Sequence, residues 1–151
     1  MVTIKELQQL DIFHGLSDDV LEDIASFSTV REFADGEVIL SEHEDGGLAI
    51  RDLYLTMDGD VLIQKHFTDV STLKQIDIQA IDRSVVGEIG WLLGSKPSAE
   101  VTSNGDTRML IVDGVKLFSL CDGNHQVGYN VLYRLAAILA MRLVNQTNKS
   151  A

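Results

Sequence analysis

The spacing of apolar residues changes twice along this chain of 151 residues, and no other feature constrains the fold as much. Both ends show the three- and four-residue spacing of amphipathic helices, whereas the middle has short, strand-like runs separated by Gly and Asp turns. This order predicts an α+β, mainly β fold, in which an antiparallel sheet lies between N-terminal helices and a long C-terminal helix. The length fits a single domain over residues 1–151.

The two ends of the chain predict four helices. Within residues 1–27, Ile4, Leu7 and Leu10 form one apolar stripe, and Ser17 is a suitable N-cap for a second helix. A short helix is expected over 114–122 and a long one over 125–147. The long helix has more apolar residues than one buried face needs. It therefore either wraps its own domain or contacts a partner, as a homodimer or on an effector protein.

The middle segment, 28–113, predicts the strands. Residues 52–57 and 61–66 alternate in polarity around Asp58-Gly59, which predicts a hairpin. Two further strands, 100–103 and 108–112, are expected on either side of an Asn-Gly-Asp turn. The remaining predicted strands are 29–33, 38–40 and 73–81, with a turn at 44–47.

Charge and cysteine content disfavour several functions. The formal net charge of -11 repels phosphate backbones and anionic membrane faces, so we expect no nucleic-acid partner. A lone Cys121 cannot form an internal disulfide, and the acidic neighbour Asp122 predicts an unreactive thiol. We find no signal peptide and expect no membrane span, which together predict a cytoplasmic protein.

Residues 86–101 contain a pattern that can bind a phosphate, independently of any family resemblance. Gly87 permits a tight backbone approach, and the next six residues, 88–93, can form a short helix. The exposed amide groups at the start of such a turn attract a phosphate.

Together with the stretch 52–61, this segment resembles the cyclic-nucleotide-binding domain family, of the catabolite activator protein and protein kinase A regulatory subunit type. Residues 12–17 and 34–39 fit the family as well. The resemblance implies a jelly-roll-like double-stranded β-roll and makes 86–101 the phosphate-binding cassette. The resemblance also implies that Glu88 accepts a hydrogen bond from the ribose 2′-hydroxyl. The residues to which it assigns ligand contacts are Gly87, Glu88, Ile89, Gly90, Lys96, Pro97, Ser98 and Ala99.

The sequence departs from this family at the position of its phosphate-binding arginine, where Pro97 stands. Lys96 supplies a charge but not the two-pronged guanidinium contact, and Glu100 adds a charge of the wrong sign. His43 replaces a glycine that the family favours before an acidic turn residue. Three outcomes therefore stay open for the cassette: a cyclic nucleotide such as cAMP or cGMP, another small anion, or no ligand.

The resemblance implies a regulatory sensor without catalytic activity, in which a ligand on the cassette acts through the C-terminal helix. The alternative is a degenerate module that serves in dimerisation or protein docking. A cupin-like metalloenzyme would need clustered ligands, but His14, His43, His66 and His125 are scattered, so no metal site is predicted. A transcription factor of the catabolite-activator type would need a further helix-turn-helix domain after the long helix. Trp91 is expected to anchor the core rather than cover a ligand base.

Overall fold

The computed structural model describes residues 1–41, 51–68, 71–95, 97 and 99–150, without side-chain detail at 66–68, 75–78 and 146–150. The predicted turn at 44–47, the departure at His43, Lys96 and Ser98 all lie outside the described residues. The chain divides into two compact units. One contains residues 28–115, and the other contains residues 1–27 together with 116–151.

An antiparallel sheet makes up most of the first unit. Its central strands pair in the order β1-β6-β3-β4, with β2 added on β6 and β5 on β3. This arrangement confirms the predicted antiparallel β-roll, which helices precede and follow along the chain. The strands are β1 (Ser28–Phe33), β2 (Val38–Leu40), β3 (Leu53–Thr68), β4 (Gln75–Asp82), β5 (Val85–Val86) and β6 (Glu100–Val112).

The predicted hairpin at Asp58-Gly59 is wrong, because β3 runs through both residues as one strand. Its pairing with β6 shifts register on either side of Asp58, which makes this a bulged bend. Gly59 has a φ of 93°, and a Cβ there would lie 2.6 Å from the backbone oxygen of Asp106. The glycine is therefore needed because β6 passes close by.

The predicted break between 100–103 and 108–112 is wrong for a similar reason. β6 is one continuous strand, and Gly105, with a φ of 79°, lies inside it. The hydroxyl of Ser103 donates to the backbone oxygen of Gly105 at 2.6 Å, and the hydroxyl of Thr107 donates to the backbone oxygen of Asp60 at 2.8 Å. One of these hydrogen bonds lies within β6 and the other joins β6 to β3, and together they let the strand bend without ending.

Inward-facing residues of five strands form the core of the roll. Since successive side chains of a strand point to opposite faces, alternate residues meet inside. The buried cluster contains Phe33, Ile39, Leu40, Val61, Val86, Val101 and Met109.

The second unit is helical. Thr3 begins α1 with a capping box, in which its hydroxyl accepts from the Glu6 N–H while the Glu6 carboxylate accepts from the Thr3 N–H. The Ser17 hydroxyl accepts from the Val20 N–H at 3.4 Å, which confirms the predicted N-cap. The helices are α1 (Ile4–Gln8), a 3-10 turn (Asp11–Phe13), α2 (Asp18–Ser26), α4 (Gly114–Gly123) and α5 (His125–Ser150). The first two residues of α4 and the whole of α3 (Glu88–Leu93) belong to the first unit.

The long helix α5 is buried along one stripe in its first half, and none of its residues from 136 to 145 is buried. Val127, Val131 and Leu135 are at most 5% exposed, whereas Met141 and Leu143 are 59% and 65% exposed. Contrary to expectation, residues His125–Asn145 are long and apolar enough to cross a membrane by length and composition. The buried stripe and the two arginines within this stretch, Arg134 and Arg142, are more typical of a packed helix of a globular unit.

The structure also explains the thiol of Cys121. Burial, rather than the neighbouring Asp122, raises its pKa to about 11. A Cβ on Gly128 would lie 2.7 Å from the backbone oxygen of Cys121, so α5 approaches the end of α4 closely at this glycine. A buried thiol with a raised pKa is a poor nucleophile, as predicted.

Candidate functional site

The cassette helix α3 has the predicted bounds, Glu88–Leu93. It begins at Gly87, whose φ of 85° and ψ of 3° lie in the left-handed region. A Cβ on Gly87 would lie 2.7 Å from the backbone oxygen of Asp52. Two features thus require a glycine at this position: the left-handed backbone conformation and the close approach of the chain leading into β3.

The helix ends at a second left-handed glycine, Gly94, with a φ of 67°. Its N–H donates to the backbone oxygen of Gly90 at 2.8 Å. A Cβ on Gly94 would lie 3.2 Å from Nη2 of Arg51, so the guanidinium packs over this turn. A cation at the carboxyl end of a helix is favourably placed.

Trp91 connects α3 with the first residue of α4. Its indole N–H donates to the backbone oxygen of Gly114 at 2.8 Å in a buried hydrogen bond. The N–H of Gly114 in turn donates to Oδ1 of Asp52 at 3.1 Å. Trp91 is only 8% exposed, which confirms its prediction as a core anchor.

Gly114 itself has no room for a side chain. A Cβ there would overlap the backbone oxygen of Arg51 and would lie 2.8 Å from Cδ1 of Trp91. We call the contact formed by Arg51, Asp52, Trp91 and Gly114 the Gly114 junction. Of its four members, only Trp91 was singled out from the sequence, as a core residue. The sequence signal for Gly114 was its position at the start of a predicted helix.

The carboxyl group of Asp52 has a raised pKa. Partial burial is the largest cause, and the nearby charge of Asp113 acts in the same direction. The hydrogen bond from the Gly114 N–H lowers the pKa but does not cancel these effects. The junction therefore holds its carboxylate at a cost in solvation.

The predicted ligand-binding residues differ in exposure. Gly87, Glu88 and Ile89 are half-buried, whereas Gly90, Pro97 and Ala99 are buried. Pro97 is thus turned inward at the position where the family has its arginine. The structure brings 87–90 together at the start of α3, but it does not place Lys96 or Ser98.

Within the described ranges, no group of three or more His, Cys, Asp or Glu side chains is arranged to hold a metal ion.

The fold is shared with many solved structures. No protein-family model matches the sequence, and no curated protein matches it. A cyclic nucleotide-binding domain from Methylobacillus flagellatus aligns at a TM-score of 0.77 with 20% identity, over 97% of this chain and 81% of that one.

Two further structures agree. A putative cyclic nucleotide-binding protein from Geobacter metallireducens aligns at a TM-score of 0.71 with 21% identity, over 95% of this chain and 99% of that one. The regulatory domain of Toxoplasma gondii PKA, solved with cAMP, aligns at 0.67 with 16% identity, over 94% and 48%. The chain therefore has the fold of the cyclic-nucleotide-binding domains.

Proposed function

We propose that this chain is a regulatory sensor without catalytic activity, which binds a cyclic nucleotide or a related small anion at residues 86–101 and signals through its C-terminal helix. The observation that carries this proposal is the Gly114 junction. Both backbone polar groups of Gly114, the first residue of α4, are hydrogen-bonded, one by the cassette helix and one by the entry to β3. Any displacement of α3 therefore acts directly on the start of α4.

The starting end of α3 is the proposed ligand site. Gly87 exposes a turn of backbone without a side chain, and the amides that follow it have the geometry that attracts phosphate in such turns. Glu88, half-buried beside them, would accept a hydrogen bond from a ribose hydroxyl. In this proposal the remaining contacts come from Ile89, Gly90, Pro97 and Ala99, with Lys96 and Ser98 beside them.

The ligand is proposed to bind without an arginine contact. Loss of one charge-assisted bidentate pair weakens binding by about ten- to a hundredfold. The acidic net charge of -11 acts in the same direction. We therefore expect a micromolar or weaker affinity. Ligands that differ only in the charge of their phosphate should bind with similar affinities.

Calorimetric titration of the purified chain with cAMP and cGMP tests the proposal, with the melting temperature as a second reading, since a ligand that binds only the folded state must raise it. The informative variant is Glu88→Gln, which keeps the size of the side chain and removes its charge. We expect it to weaken binding at least about tenfold.

Glu22→Gln is the matched control, because Glu22 is an exposed residue of α2 and the change in net charge is the same. Equal affinities for the two variants would contradict the assignment of Glu88. Absence of binding by the unmodified chain up to millimolar ligand would contradict the sensor proposal.

We further propose that the two compact units work as one cytoplasmic sensor domain over residues 1–151. The proposal rests on the continuity of α4, whose first two residues lie in the sheet unit and whose remainder lies in the helical unit. Limited proteolysis tests it: ligand that protects sites in both units would support one working domain.

A second candidate function is a dimerisation or docking module. It is favoured by a second apolar stripe on α5, spaced alternately three and four residues apart as in a coiled coil. The stripe consists of Tyr129, Leu132, Ala136, Leu139 and Leu143. Most of its members are more than a third exposed, and it lies about a third of a turn from the buried stripe.

Sedimentation of the unmodified chain and of Leu143→Glu tests this candidate. We expect a homodimer that the charged variant converts to monomer, because a carboxylate within a helix seam is left without solvation. Asn145→Glu is the control, since residue 145 lies on the other side of the helix. If the unmodified chain stays monomeric at high concentration, homodimerisation is contradicted.

A further inference from the structure

The helical unit contains a cavity of about 380 Å³ that is separate from the cassette. It lies between the start of α2 and the joint of α4 and α5, and residues from both segments line it. Its volume falls in the range of small-molecule sites, roughly 300 to 1,000 Å³. All of its lining residues belong to the helical unit.

The chemistry of the lining is unusual for so acidic a chain. Among the described residues that line the cavity, none carries a formal charge. Three carboxamides, those of Asn124, Gln126 and Asn130, and two hydroxyls, those of Ser17 and Tyr129, supply the polar groups. Carboxamides both donate and accept hydrogen bonds, but they do not neutralise a charge.

Two of these side chains are held in place by the backbone. Nδ2 of Asn130 donates to the backbone oxygen of His14 at 2.9 Å, which leaves its Oδ1 as an acceptor, 3.3 Å from the position of a Cβ on Gly15. Oδ1 of Asn124 accepts from the Val127 N–H at 3.2 Å, which leaves its Nδ2 as a donor. Both residues line the cavity, and each has one carboxamide atom, an acceptor on Asn130 and a donor on Asn124, that these hydrogen bonds do not use.

The cavity also has an aromatic wall. The Tyr129 ring stacks on Tyr133 with the ring centroids 5.9 Å apart and an interplanar angle of 27°, so its position is supported from α5 itself. Leu16, Val20 and Val127 add apolar surface. A flat ligand gains from contact with an aromatic ring and an apolar wall, beyond the area that it buries.

From this lining we infer a second ligand site, which takes an uncharged, planar heterocycle bearing a lactam or carboxamide group, of the size of a nucleobase or nucleoside. The donor and acceptor of such a group match the carboxamides of Asn124 and Asn130. A ligand with a free phosphate would find no cation among the described lining residues and would be disfavoured.

Titration of the isotopically labelled chain with uridine, inosine and nicotinamide, followed by amide NMR shifts, tests this site. We expect at least one of the three to shift the amides of Ser17, Val20, Val127 and Asn130 in a saturable way. Uridine and inosine monophosphates should bind more weakly than the nucleosides. Shifts confined to residues 86–101, or none up to about 10 mM of all three probes, would overturn the inference.

Two variants locate the site. Gln126→Ala removes an exposed lining carboxamide and should weaken binding roughly three- to tenfold, while Asn145→Ala, a polar residue further along α5, should leave it unchanged. Val20→Phe should fill the cavity and abolish binding. If Val20→Phe does not fold, the pair Gln126→Ala and Asn145→Ala still decides: equal affinities would overturn the assignment.

Discussion

The two helices that matter most for the proposed function, α3 and α5, are stabilised in different ways. The six-residue α3 is fixed at its start by Gly87 against the Asp52 backbone, at its end by Gly94 against the Arg51 guanidinium, and in its middle by one indole hydrogen bond. The 26-residue α5 depends on an apolar stripe that includes Leu135, and between residues 136 and 145 most residues are exposed. The short helix is thus held by close contacts at its ends, whereas the long one has exposed apolar residues in its second half, such as Met141 and Leu143.

The largest effect on stability is expected at Gly114, where the backbone leaves no room for a side chain. Gly114→Ala would place a methyl group on the Arg51 carbonyl, and we expect it to lower the free energy of unfolding by about 3 kcal/mol or more. Gly123→Ala, at the other end of the same helix, meets nothing within 4 Å and should be neutral or slightly stabilising. Urea denaturation of both variants measures the difference. Similar stabilities would show that α3 and the start of α4 are not held by close backbone approach.

The next effect separates the two halves of α5. Leu135 is 1% exposed, and Leu135→Ala should cost about 2–4 kcal/mol through lost burial and a cavity. Leu143 is 65% exposed, and Leu143→Ala should cost less than about 0.5 kcal/mol at a protein concentration too low for association. A large loss for Leu143→Ala under those conditions would mean that the second half is already packed within the monomer.

A smaller effect is expected for the indole hydrogen bond. Trp91→Phe keeps an aromatic ring but leaves the buried backbone oxygen of Gly114 without its donor, at a cost of about 1–3 kcal/mol. Thermal unfolding followed by circular dichroism measures this cost. If ligand binding at the cassette persists while its effect on α5 disappears, the junction transmits the signal. An unchanged melting temperature would show that this hydrogen bond does not stabilise the folded chain.

The smallest effect concerns pH. Because the pKa of Asp52 is raised in the folded state, the folded chain holds the proton more tightly than the unfolded one, and stability falls as pH rises above about 3.8. Asp52→Asn keeps an acceptor for the Gly114 N–H without the charge. We expect its melting temperature to exceed that of the unmodified chain by roughly 1 °C at neutral pH, after allowance for the partial exposure of Asp52. The difference should vanish near pH 3; a lower melting temperature at neutral pH would contradict the assigned cause.

Local patterns in the sequence predicted much of the fold. The prediction of a short helix over 88–93 directly after Gly87 is confirmed, and the strand at 38–40 and the N-cap Ser17 followed from residue type alone. The hairpin prediction failed because an Asp-Gly pair also fits a bulge, and only the approach of β6 to Gly59 distinguishes the two.

The candidate site was predictable in part. The tight turn at Gly87 depends on the residue itself, so it could be predicted from the sequence. The Gly114 junction joins residues 52, 91 and 114 through contacts that span up to 62 positions, and no local pattern contains such a contact. The buried place of Pro97 likewise depends on the fold around it.

Trp91 is the single tryptophan of the chain, and its indole N–H donates to the residue that begins α4. The protein therefore has a fluorophore built into the junction through which the proposed signal passes. Opening of that contact would expose the indole to water and shift its emission to longer wavelength. Conformational change at the junction can thus be followed in unlabelled protein by its ultraviolet fluorescence, in real time and without any substitution.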